Sequence, residues 1–68
     1  MEREKKRATY LITFGIKPLD ALHLAVAETG GVDFFCTVDD RLLRNASAVN
    51  DLKVKVLNPV DFIREIEE

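Results

Sequence analysis

Val32-Asp33-Phe34-Phe35-Cys36-Thr37-Val38, running into Asp39-Asp40-Arg41-Leu42-Leu43, is the stretch that decides the fold. Gly30-Gly31 precedes the apolar run and the aspartate doublet follows it, so it is too short for a helix. Its β-branched and aromatic content makes it a strand. Successive strand residues point to opposite faces, so adjacent Phe34 and Phe35 require apolar cover on both sides. That describes an interior strand of an α/β sheet.

Upstream, Pro18-Leu19-Asp20-Ala21-Leu22-His23-Leu24-Ala25-Val26-Ala27 reads as a helix that opens on Pro18, whose missing N–H is harmless at a first helical position. It closes at Gly30-Gly31. Leu19, Leu22 and Val26 form one apolar stripe, which Ala21, Leu24, Ala25 and Ala27 widen until little of the circumference is polar, so the helix is expected to be buried. Before it, Glu2 to Phe14 reads as a first helix, amphipathic through Ala8, Leu11 and Ile12 and stopped by Gly15.

Downstream, Asp39 or Asp40 caps a third helix carrying Leu42, Leu43 and Ala46. After a loop around 48–51, Lys53-Val54-Lys55-Val56 alternates polar and apolar as an edge strand does. Asn58-Pro59 starts a fourth helix, with Asn58 as N-cap and Val60, Phe62, Ile63 and Ile66 as its apolar side. Strand, helix, strand in that order implies two parallel strands joined by a right-handed crossover. The expected fold is α/β, a short parallel sheet flanked by helices in one domain over 1–68. The interior strand then lacks one neighbour, so a homo-oligomer, a second chain or a preceding segment is expected to complete the sheet.

A chain of 68 residues has room for one small domain, burying about 60% of the surface its unfolded form exposes. With 47% hydrophobic and 32% charged residues it is a globular sequence, not a disordered one. A net charge of -2 gives no global basic field, so any contact with RNA has to be local. Arg3, Lys5, Lys6 and Arg7 alternate with Glu2 and Glu4 as on a solvated helix face. The charged N-terminus leads into no stretch apolar enough for a signal peptide or a membrane span, and Cys36 reads as a small buried hydrophobe. Together these indicate a cytoplasmic protein with no membrane association.

A helix preceding a parallel strand runs against it, so its first turn lies at the strand's C-terminal end. Asp20 and Asp39 therefore converge at the edge where open α/β sheets place ligands. Two carboxylates with water and substrate phosphate suffice for weak binding of a hard cation. Asp20 also suits the positive end of its helix, and one of Asp39 and Asp40 is needed as a cap. His23 lies one turn after Asp20, as an orienting residue, a ligand or a structural histidine. Thr37 offers a hydroxyl on the side of Asp39, and Arg41 and Arg44 share a helix face that either steers phosphate or is simply solvated. No Ser/His/Asp or Cys/His arrangement is present, and Gly30-Gly31 precedes a strand, the wrong context for a nucleotide loop.

Gly15-Ile16-Lys17-Pro18-Leu19-Asp20-Ala21-Leu22-His23-Leu24-Ala25, then Phe35-Cys36-Thr37-Val38-Asp39-Asp40-Arg41-Leu42-Leu43, then Val56-Leu57-Asn58-Pro59 resembles the C-terminal half of PIN domains. The resemblance implies a truncated PIN-like fold, Mg2+ or Mn2+ as cofactor, and hydrolysis of RNA, as in the toxins of toxin and antitoxin pairs. An antitoxin is then among the implied partners. It assigns Asp20 and Asp39 as catalytic and metal-binding, with Thr37 matching the threonine of the same strand-end motif. Asp40, Arg41 and His23 are the adjoining candidates for contacts with substrate. The family's first half, with an early strand-end aspartate and a middle glutamate, has no counterpart, so a lone chain is expected to be incomplete or inactive. A noncatalytic remnant serving dimerisation or partner binding is the alternative.

Overall fold

A computed structural model describes residues 1–67. The element order is α1 (Glu2–Ile12), α2 (Pro18–Thr29), β1 (Phe34–Cys36), α3 (Asp40–Ser47), β2 (Lys55–Leu57) and α4 (Pro59–Ile66). The two strands are parallel neighbours, in the register Phe34↔Lys55, Phe35↔Val56 and Cys36↔Leu57. The chain is thus α/β, with a two-stranded parallel sheet flanked by helices, as its sequence order requires.

Helices α1 and α2 form an antiparallel hairpin whose seam is Ala8 and Leu11 against Ala21, Leu24 and Ala25. The alanines let the backbones approach closely, and Leu11 and Leu24 are the largest fully buried side chains. Phe35 and Val56 pack against this cluster from the sheet, while Phe34 turns to the opposite face and meets Phe62 of α4 edge-on at 5.7 Å. The sheet is therefore covered on one face by the core cluster of the hairpin, joined by Leu42 and Val49, and on the other by α4.

Turn chemistry fixes the joints. Gly15 ends the first turn region at φ +91, a conformation that side-chain-bearing residues rarely adopt. A Cβ there would also lie 3.1 Å from Nδ2 of Asn45, which donates to the Gly15 carbonyl. Gly15→Ala should therefore cost ~1 kcal/mol or more, measured as a lower urea midpoint; an unchanged midpoint would contradict the strain. Asp39 Oδ1 accepts from the N–H groups of Arg41 and Leu42 at 2.9 and 3.3 Å, which selects it over Asp40 as the cap of α3. Asn58 Oδ1 caps α4 through Asp61 N–H at 2.8 Å, with Pro59 in the first turn.

Several expectations are corrected. The first helix stops at Ile12, two residues short of Phe14, because the chain is already turning toward Gly15. Both strands are three residues long, and the second is displaced to Lys55–Leu57, leaving Val54 buried just before it. Helix α2 is not buried all round: Ala21, Leu24 and Ala25 face the hairpin seam, which turns Leu19 and Val26 outward, Leu19 to 65% exposure. Cys36 is exposed rather than buried, since Phe62 covers Phe34 and β1 has no second neighbour among the described residues.

Arg7 is not on a solvated face. It donates to Glu28 Oε1 and Oε2 at 2.8 and 3.1 Å and to both carboxylate oxygens of Asp51 at 3.1 Å, tying α1 to α2 and to the loop before β2. Glu28 Oε2 also accepts from Lys53 N–H at 3.0 Å. Among the described residues, no helix is long and apolar enough to cross a membrane.

Candidate metal centre

Asp20 sits in the first turn of α2 and Asp39 just beyond the C-terminal end of β1. The antiparallel run of α2 against β1 carries both to one small crevice, lined also by Gly15, Ile16, Lys17, Arg41, Leu42 and Asn45. Its volume is about 10 Å³, room for roughly one water-sized occupant. Both aspartates are half-buried.

Asp39 has two structural duties before any ligand is considered. Thr37 Oγ1 accepts from Asp39 N–H at 3.1 Å, which fixes the turn out of β1, and Asp39 Oδ1 caps α3. Both capping bonds end on Oδ1, so Oδ2 has no protein donor among the described residues. One oxygen orders the helix start, and the other is free for a further partner.

The crevice also holds cationic competition. Lys17 and Arg41 line it beside the two carboxylates, without forming a salt bridge to either among the described residues. Two positive side chains offset two negative ones, so a divalent cation gains less here than at a purely acidic site. No group of three or more His, Cys, Asp or Glu side chains able to hold a metal ion occurs among the described residues.

The other sequence candidates fall in different places. His23 is exposed on α2 and does not line the crevice, although it follows Asp20 by one turn. Asp40 is exposed as the first residue of α3, and Arg44 is exposed in its last turn. Thr37 acts through the backbone of Asp39 instead of facing the crevice. Lys17 and Asn45 line the site without having been singled out in the sequence. Asn45 follows Arg41 by four residues and so shares its helix face, a spacing that points to it.

No protein-family model matches the chain, and neither a curated protein nor a solved structure is significantly similar to it.

Proposed function

We propose that this chain is the acidic half-site of a PIN-like, Mg2+- or Mn2+-dependent endoribonuclease, inactive alone and completed by another chain or a further segment. The observation that carries the reading is the meeting of Asp20 and Asp39, from separate elements, in one crevice at the C-terminal edge of β1. The donor set fits a hard cation in kind: two carboxylates, one of them with a free oxygen, leave the remaining positions to water and phosphate. Asp20 and Asp39 would hold the ion, which supplies activation of water and offsets negative charge on the phosphodiester. Arg41, at the same crevice, presents a guanidinium to a phosphate oxygen, while Thr37 keeps the Asp39 backbone in place. RNA is the substrate class, a cytoplasmic setting and an antitoxin partner belong to the same proposal, and the charge balance of the chain keeps substrate contact local.

Millimolar Mn2+ should raise the melting temperature of the wild type by several degrees. A cation at tenfold excess over its Kd stabilises by ~1.4 kcal/mol, and ~1 kcal/mol moves the Tm of a domain this small by ~4–8 °C. Asp20→Asn and Asp39→Asn should lose most of that shift. Asparagine at position 39 still caps α3, so the loss would not be a loss of fold. An equal shift in all three proteins, or none in the wild type, sinks the metal reading.

A second reading, a noncatalytic partner-binding module, is favoured by the uncovered apolar side chains of α4: Val60, Ile63 and Ile66 are all at least half exposed. Under it, Mn2+ changes nothing and the chain still associates.

A further inference from the structure

We infer that two copies of this chain pair through the open edges of their β1 strands, antiparallel about a two-fold axis at Phe35, to give one continuous sheet. The inference rests on the proposed function only in naming the chain that completes the sheet.

The backbone dictates the geometry. Asp33 C=O accepts from Lys55 N–H at 3.0 Å and Thr37 N–H donates to Leu57 C=O at 2.8 Å, so odd-numbered residues of the strand spend their peptide groups on β2. By the alternation of a parallel ladder, the N–H and C=O groups of Phe34 and Cys36 face the open edge. An antiparallel copy centred on Phe35 sets Phe34 opposite the partner's Cys36 and the reverse, which satisfies all of these groups reciprocally in hydrogen-bonded pairs.

The two edges of the sheet are guarded differently. Lys55 opens β2 and Lys53 lies two residues before it, both exposed, the usual device against edge pairing. Along β1 there is no lysine, arginine or proline from Gly31 to Asp40, and Val32, Cys36 and Val38 are exposed, Val38 by 81%.

Charge selects the antiparallel arrangement with a second copy. A parallel pairing of identical strands would set Asp33 against Asp33 and Asp39 against Asp39. The two-fold register instead sets Asp33 against the partner's Thr37 and Val32 against the partner's Val38, so no like charges oppose and the exposed valines cover one another. A stable interface takes ~800 Å² per partner, about one sixth of the 4768 Å² this chain exposes. Helices on both faces of the sheet, with Leu19 of α2 and Ile63 of α4 exposed, supply apolar surface beyond the strand itself.

The test is sedimentation equilibrium of the full chain in EDTA, so that a failed metal reading leaves this one standing. The expected mass is twice 7.7 kDa. Cys36→Lys and Cys36→Pro, at an exposed position whose N–H is not used within the chain, should weaken the dimer ~10-fold or more while the helical circular dichroism persists. Asp33→Cys with Thr37→Cys in a Cys36→Ser background should give a covalent dimer on oxidation, since directly opposed, non-hydrogen-bonded positions bring Cα atoms to ~4.5 Å. A monomeric wild type, a dimer unaffected by Cys36→Lys, or a double-cysteine variant that stays uncrosslinked overturns the proposal.

Discussion

Leu24→Ala is expected to leave much of the protein unfolded at 37 °C. Leu24 has no exposed surface and sits in the core cluster with Leu11, Ala21 and Leu42, against which Phe35 packs from the sheet. Deleting its branched end costs ~2–5 kcal/mol through lost burial and the cavity left behind. A domain of this length has only ~3–10 kcal/mol in all, at about 0.05–0.15 kcal/mol per residue, so one substitution removes a large share. Urea unfolding followed by circular dichroism measures the loss directly. Leu19→Ala, on the outward stripe of the same helix, should stay within ~0.5 kcal/mol in protein diluted to monomer. Equal losses at the two positions would mean that the hairpin seam has been misplaced.

Arg7→Ala should produce the next largest change, a loss of ~1–3 kcal/mol at neutral pH. The Arg7 side chain is 23% exposed and that of its partner Glu28 only 8%. Removing the guanidinium leaves Glu28 with the Lys53 N–H as its remaining donor and detaches Asp51 from α1. The packing of Arg7 over the Tyr10 ring, 5.2 Å from its centroid, goes as well.

The same pairing has a pH signature. Hydrogen bonds from Arg7 hold the Asp51 carboxyl below its usual range, while Arg7 itself is pushed up, chiefly by Glu28 and then by Asp51. A carboxylate whose folded pKa is depressed contributes stability above its unfolded value, about 3.9, and loses it as pH falls through the lower folded value. The gap in stability between wild type and Arg7→Ala should therefore be full at pH 7 and narrow below about pH 4. A gap that stays constant down to pH 2 would show that Arg7 acts through packing and not through its carboxylate partners.

Much of the architecture is legible in short sequence signals. Pro18, the Asp39-Asp40 doublet and Asn58-Pro59 each mark a helix start because the unpaired N–H groups of a first turn need a cap or a residue without the donor, and helices begin at all three. The two phenylalanines of β1 face opposite sides of the sheet because strand geometry leaves them no choice. Convergence of Asp20 and Asp39 follows from chain direction alone, and the structure brings both to one crevice.

The misses share a cause. Helix α2 carries apolar residues nearly all round, so periodicity cannot say which stripe faces inward, and the alanine-rich side wins because it allows close approach to α1. Arg7 looks like any residue of a charged run until the fold brings Glu28 and Asp51 to it across long stretches of chain. Cys36 reads as buried because its neighbours are apolar, but burial belongs to the covering elements, and none of those described lies over it.

By itself the sequence determined the order of elements, their caps, the parallel strand pair and the meeting of two aspartates, because these depend on local backbone chemistry and chain direction. Only the tertiary structure decided which helix face is core, that Arg7 is a tie and not a free charge, that Lys17 and Arg41 share the crevice with the aspartates, and that β1 has no second strand neighbour among the described residues. These outcomes depend on which surfaces meet, a matter of shape and long-range contact that residue spacing along one chain does not carry.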